Sequence, residues 1–70
     1  MEQIYDFTVP ELNKFIELCN FSDAELEYFN LRAKHKSNIE ISFIMNVSES
    51  QVSKLAKRVK TKMIRVVPFM

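Results

Sequence analysis

The same helix-start signal occurs four times in this chain, and that repetition limits it to a helical fold more than any other feature does. A Ser or Thr followed three residues later by Glu or Gln caps a helix, because the hydroxyl accepts from the N3 amide and the N3 side chain returns to the N-cap amide. Apolar residues then recur at steps of three and four, the spacing of an amphipathic helix. We predict helices at about 9–19, 23–34, 38–45 and 49–64. The four pairs are Thr8 with Glu11, Ser22 with Glu25, Ser37 with Glu40, and Ser48 with Gln51.

The apolar faces of these four helices are enough to form one small core. Hydrophobic residues make up 47% of the 70 residues, so the chain can fold, although a domain of this size buries only about 60% of its unfolded surface. We predict one all-α domain over residues 1–70. Its expected inward residues are Leu12, Phe15, Ile16, Cys19, Leu26, Phe29, Ala33, Ile41, Ile44, Met45, Val52, Leu55, Ala56, Val59 and Met63, with Tyr28 and Leu31 flanking.

Composition argues against several classes of protein. The chain contains no glycine, which excludes a glycine-rich phosphate loop and a dinucleotide fingerprint. Cys19 and His35 are single residues of their kind, so neither a disulfide nor the usual zinc ligand set is expected. No nucleophile–base pair is evident, and we expect neither an enzyme nor a cofactor. The acidic start and the lack of a long apolar run favour a cytoplasmic protein without a membrane span.

Charge is divided along the chain. Residues 1–31 hold seven acids and one base, whereas residues 32–70 hold nine bases and two acids, so a net charge of +1 hides two halves of −6 and +7. The division indicates either a face built for a polyanion or a dipolar protein whose halves attract each other. Most of the bases crowd into one stretch, which covers the predicted fourth helix and the residue after it: Lys54, Lys57, Arg58, Lys60, Lys62 and Arg65.

A very short connection joins the predicted third and fourth helices. Only Asn46, Val47 and the cap Ser48 separate them, and the second of the two helices is longer and basic, which is typical of a helix-turn-helix. Ser42 is small, as a close crossing of the two helices requires. Asn46 occupies the turn, where the chain commonly needs a left-handed residue. We therefore predict a central helix-turn-helix that binds double-stranded DNA.

The polar face of the fourth helix supplies the predicted contacts with DNA. Gln51 can form a bidentate pair with adenine, and Lys54 or Lys57 can donate to guanine. Phosphate contacts are expected from Arg58 and Lys62, and from the start of the third helix. The alternative is that these charges serve only solubility. The full predicted DNA-binding set is Lys36, Ser37, Asn38, Ser50, Gln51, Ser53, Lys54, Lys57, Arg58 and Lys62.

The run from Phe21 to Met63, about 43 residues, resembles the LuxR/GerE helix-turn-helix domain and the related sigma-70 region 4. The resemblance implies a transcriptional regulator of bacterial or phage type, with groove contacts at Ser53, Lys54 and Lys57. His35 stands where the family has glycine, so a left-handed or irregular backbone is expected there. A helix before the match, and little chain after it, are more similar to sigma region 4. The matching residues are Glu25-x-Glu27, Leu31, Ala33, Ser37-Asn38-x-Glu40-Ile41 and Val47-Ser48-Glu49-x-x-Val52.

The apolar tail at 64–70 bears on the predicted partners. One helix-turn-helix reads about one half-site, which gives limited specificity in a genome, so we predict a homodimer or a larger assembly. The tail either forms the dimer contact, which we favour, or folds back on the core. The alternative function is a sigma-region-4-like interaction module that binds RNA polymerase or another regulator.

Overall fold

The computed structural model describes residues 7–69, which form four α-helices and a final 3-10 turn. The helices are α1 (Val9–Cys19), α2 (Asp23–Ala33), α3 (Asn38–Met45) and α4 (Glu49–Val66), and the 3-10 turn is Val67–Phe69. Residues 7–69 contain no β-strand. The predicted small all-α fold is confirmed.

Two helices end elsewhere than predicted. α2 stops at Ala33, one residue early, and Lys34 is its C-cap. α4 continues two residues farther than expected, to Val66. Val59, Met63 and Val66 are all buried, so the steps of four and three extend the inward face of α4 by another turn. That burial stabilises the added turn, which leads directly into the 3-10 turn.

Three of the four predicted capping boxes are complete. The hydroxyls of Thr8, Ser22 and Ser37 accept from the N3 amides, and the N3 glutamates return to the N-cap amides. The fourth is one-sided: Ser48 Oγ accepts from the Gln51 amide at 3.2 Å, but within residues 7–69 the Gln51 side chain makes no return bond. The prediction was wrong for that half. A neutral amide oxygen is a weaker acceptor than a carboxylate, which explains the difference.

The chain makes its tight turns with left-handed residues other than glycine. Asn46 has φ 56° and ψ 48°, and His35 has φ 67°, so both expected left-handed positions are confirmed. Asn20, which follows α1, is also left-handed with φ 53° and was not predicted. Asn tolerates this conformation better than most residues because its short side chain bonds locally.

The core is built around α4, which contacts each of the other three helices. An aromatic group fills the space beside it: the rings of Phe15 and Phe29 have centroids 6.3 Å apart, Phe7 lies edge-on to Phe15 at 5.0 Å, and Phe21 lies 5.0 Å from Phe29. The buried apolar residues are Phe15, Cys19, Tyr28, Phe29, Ile41, Val52, Leu55, Val59, Met63 and Val66.

Ile44 is the clear error in the predicted core, since 53% of it is exposed. α3 turns Ile41, Ser42 and Met45 towards its neighbours instead. The small Ser42 is buried, and its hydroxyl donates to the Ile39 carbonyl at 2.6 Å, so its polar group is satisfied. The inward side of α3 therefore includes Ile41, Ser42 and Met45, and Ile44 lies on the outer flank. Tyr28, expected to flank the core, is buried within it.

The C-terminal tail is only partly packed. Val66 is buried on the core, whereas Ile64, Val67 and Phe69 remain exposed, Phe69 to 79%. Met70, which the predicted tail includes, lies outside the described residues.

Candidate nucleic-acid interface

The connection between α3 and α4 is held by hydrogen bonds at both ends. The Val47 amide donates to the Ser42 carbonyl at 3.0 Å, which closes the last turn of α3 around the left-handed Asn46. Ser48 then caps α4. Val47 is half-buried and packs against the core, so the turn is attached to the domain. This connection sets the direction in which α4 leaves α3.

The outer face of α4 presents a continuous polar stripe. Ser50, Lys54, Lys57 and Thr61 are exposed and follow one another at steps of four, three and four, opposite the buried stripe through Val52, Val59 and Met63. The 18 residues of α4 make it about 27 Å long. Gln51, Ser53 and Arg58 are exposed beside the stripe. The structure therefore brings six predicted residues together on α4: Ser50, Gln51, Ser53, Lys54, Lys57 and Arg58.

The bases of this face have no acidic partner in the described part of the chain. The ion pairs there are Lys14 with Glu17, Lys36 with Glu40, and Lys62 with Glu25. Lys54, Lys57 and Arg58 take part in none of them. Their charge is therefore available to an anion outside the molecule, and Glu49 is the one acid on α4.

Lys62 is not part of this group. Its Nζ lies 2.5 Å from Glu25 Oε1, donates to the Asn20 carbonyl at 3.3 Å, and sits 5.9 Å from the Phe21 ring centroid. The hydrogen bond from Lys62, and that from the Ser22 amide, lower the pKa of Glu25. The Lys62 side chain thus links α4 to the connection between α1 and α2 and to the first turn of α2. Because Glu25 is 37 residues away in the chain, no local sequence pattern indicated this pair, and Lys62 was grouped with the other bases of the fourth helix.

Lys36, Ser37 and Asn38 lie together at the start of α3, where they were predicted. Ser37 is engaged in its capping box, and the bond from its amide lowers the pKa of Glu40. Asn38 Oδ1 accepts from the Tyr28 hydroxyl at 3.4 Å. Lys36 Nζ is 4.0 Å from Glu40 in an exposed pair. The Glu40 carboxylate therefore lies at the start of α3, and it makes this helix start less positive than the outer face of α4.

Two residues outside the predicted DNA-binding set, Thr61 and Arg65, extend the polar face towards the end of α4. Both line a shallow depression together with Lys57 and Arg58, and the paired Glu25 and Lys62 complete its lining. Thr61 Oγ1 donates to the Lys57 carbonyl at 2.9 Å. The steps of four, three and four from Lys54 through Arg58 and Thr61 to Arg65 were the signal that could have found them.

Between residues 7 and 69, no group of three or more His, Cys, Asp or Glu side chains could hold a metal ion. Within that range, no helix combines the length and apolar character needed to cross a membrane. No protein-family model, no curated protein and no solved structure matches this chain.

Proposed function

We propose that this protein is a sequence-specific regulator of transcription that binds double-stranded DNA with α4 in the major groove. One observation carries the proposal: exposed bases that have no acidic partner within residues 7–69 share the outer face of α4 with hydrogen-bonding side chains. A helix fits the major groove, which is about 12 Å wide. The resemblance to LuxR/GerE domains and sigma-70 region 4 points to the same function.

The residues of the face have different proposed roles. Gln51, near the start of α4 and free of a capping bond, is available to pair with adenine N6 and N7. Lys54 and Lys57 follow about one and two turns later and reach guanine O6 and N7. Arg58 and Arg65 contact phosphates, which position the protein without reading sequence. Lys62 is left out because Glu25 already binds it.

The acids on the other helices support one orientation on DNA. Glu11, Glu17, Asp23 and Glu27 are exposed on α1 and α2, whereas α4 carries the exposed bases Lys54, Lys57 and Arg58. A polyanion repels the first group and attracts the second, so the charges steer α4 towards the duplex.

The proposal includes a homodimer through the exposed apolar residues of the tail. Ile64, Val67 and Phe69 lie at the C-terminal end of the DNA-reading helix, so a two-fold contact there would place two such helices on neighbouring half-sites. Sedimentation of the chain at tens of micromolar, with and without DNA, tests this part. A dimer in at least one condition is expected, and a monomer in both would rule the contact out.

The DNA-binding proposal is tested by selection from a random duplex library, followed by titration of the enriched sequence at two salt concentrations. We expect a defined motif and a steep fall in affinity with salt. Lys57→Ala should weaken binding about tenfold, within the range of a lost base contact. Lys14→Ala removes the same charge from α1 and is the matched control, which should bind as the wild type does. Equal effects of the two substitutions would show that α4 is not the binding face.

A second candidate function rests on a different surface. The outer flank of α3 exposes Ile39, Phe43 and Ile44, with Phe43 exposed to 80%. An apolar helix flank suits a protein contact, and a sigma-region-4-like module that binds RNA polymerase would use one. Such a module predicts no enriched DNA motif and a shallow salt dependence. Capture of RNA polymerase that Phe43→Ser abolishes would favour it.

A further inference from the structure

A groove beside the outer face of α4 combines an apolar floor with a basic rim. Its floor is formed by Ala24 of α2, Met45 and Val47 at the helix-turn-helix corner, and Leu55 of α4. Gln51, Lys54 and Arg58 form the rim. The groove measures about 350 Å³ and is open along one side.

The shape of this groove suits a peptide better than a compact small molecule. Its volume lies at the lower end of the range for ligand pockets, about 300–1,000 Å³, and such pockets bury most of their ligand. An open groove cannot do so, whereas an extended peptide covers it with one side chain and spreads over the rim.

The floor also differs from what a DNA duplex needs. Ala24 is exposed, and Met45 and Val47 are half-buried, so apolar surface remains uncovered by the rest of the described chain. A duplex presents phosphates, sugars and base edges, and the thymine methyl is the apolar group of its major groove. A bulky apolar side chain would cover this floor far more completely.

The rim determines the charge of the occupant. No acid lines the groove, and neither Lys54 nor Arg58 is in an ion pair within residues 7–69. A carboxylate beside them gains charge-assisted hydrogen bonds, which the Arg58 guanidinium can make in bidentate form. We infer that the groove binds an acidic peptide segment of a partner protein, with a bulky apolar side chain on Met45 and Val47 and carboxylates on Lys54 and Arg58.

Such a partner would regulate DNA binding. Gln51, Lys54 and Arg58 belong both to the groove and to the proposed DNA face, so peptide and duplex cannot occupy them together. This competition rests on the proposed function, whereas peptide binding by itself does not. An acidic partner would therefore release the protein from DNA by occupying the same cations.

The test uses the full chain and a synthetic fluorescent peptide in which Asp and Glu alternate with Leu and Phe. A control peptide carries Ser in place of every Leu and Phe. Fluorescence anisotropy should show saturable binding of the first peptide and about tenfold weaker binding of the second, as expected when apolar anchors are lost. Equal affinities would mean simple charge attraction and would overturn the inference.

Three variants separate the groove from the DNA face. Ala24→Leu fills the groove from an exposed helix position and should weaken peptide binding about tenfold, while Ala24→Ser leaves the groove open and should bind as the wild type does. Lys57 lies outside the groove lining, so Lys57→Ala should weaken DNA binding and leave peptide binding unchanged. Wild-type peptide affinity in Ala24→Leu would refute the groove.

The outcomes also distinguish this inference from the proposed function. Peptide binding that depends on Ala24, in a protein that binds no DNA, would keep the groove and remove the DNA regulator. DNA binding without any peptide binding would keep the DNA regulator and overturn the peptide groove. Self-association that Ala24→Leu abolishes, with no affinity for the peptide, would assign the groove to a second copy of this chain and overturn the inference.

Discussion

Asn46 shows how single residues let a chain without glycine turn sharply. Its backbone is left-handed, with φ 56° and ψ 48°, at the end of α3. For most L-residues this conformation costs about 1–2 kcal/mol, because Cβ approaches the following carbonyl oxygen, and Asn is among the exceptions. Asn20 ends α1 in the same conformation. The orientation of α4 therefore depends on the residue type at one turn position.

Asn46→Ala should lower the free energy of unfolding by about 1 kcal/mol, because Ala adopts the left-handed conformation less readily than Asn does. Asn46→Gly is the matched control and should be close to neutral, because glycine has no Cβ. Urea denaturation of the three proteins measures the difference. Equal stability of the Ala and Gly variants would show that position 46 does not require a left-handed residue.

At the scale of the helices, the caps explain where each element begins. α1, α2 and α3 begin with reciprocal boxes that end in glutamate, whereas α4 begins with a serine whose box is incomplete. The Gln51 side chain is consequently exposed on the candidate DNA face instead of being used at the helix start. With Gln instead of Glu at this third helical position, the side chain of residue 51 is available for binding.

Ser48→Ala should cost about 1 kcal/mol of stability, because the Gln51 amide loses its side-chain acceptor. Gln51→Ala should leave stability within about 0.5 kcal/mol of the wild type, as is usual for surface positions without a special contact. Thermal unfolding followed by circular dichroism compares the two. A large loss in Gln51→Ala would mean that the return bond exists in solution.

At the scale of the whole molecule, one ion pair joins distant parts of the chain. Glu25 is 4% exposed and Lys62 has 32% of its side chain exposed, so the pair is largely shielded from water. The same carboxylate accepts from the Ser22 amide at 2.9 Å. The pair therefore holds the C-terminal half of α4 against the start of α2, and Glu25 balances the charge of Lys62.

Lys62→Met keeps the apolar stem but leaves Glu25 with a buried charge and no cation. We expect a loss of about 2 kcal/mol, below the cost of breaking a fully buried pair because Lys62 is partly exposed. Lys60→Met is the matched control on the exposed side of α4 and should change little. Chemical denaturation measures both, and similar losses in the two variants would contradict the importance of the pair.

The pair should also make stability depend on acid pH. The folded state lowers the pKa of Glu25, so its contribution is complete above the ordinary glutamate pKa and is lost as the pH falls through the lowered value. Glu25→Gln should flatten this acid limb. The stability of the Glu25→Gln variant should still fall somewhat with acid, because the pKa values of Glu11 and Glu40 are also lowered in the folded protein. Unfolding curves from neutral pH downwards test this, and an unchanged limb in Glu25→Gln would place the acid sensitivity elsewhere.

By itself the sequence determined the number of helices, their starts and the turn position at Asn46, whereas the left-handed backbone at His35 was expected from the resemblance. Those features depend on residues within about four positions of one another, because a cap, a helical step and a left-handed turn are local interactions. The same locality revealed the stripe of exposed residues on α4, which follows directly from helical periodicity.

Only the tertiary structure decided how these helices meet. The sequence of α3 is compatible with more than one inward face, because the helix is short and Ile41, Ile44 and Met45 are all apolar. In the folded protein the buried face includes Ser42, and Ile44 is exposed. The sequence grouped Lys62 with the other bases of α4, whereas the structure pairs it with Glu25, which is 37 residues away in the chain. The groove under Gln51, Lys54 and Arg58 is likewise built from three helices and a turn. Such contacts join residues far apart in the chain, so no local pattern encodes them.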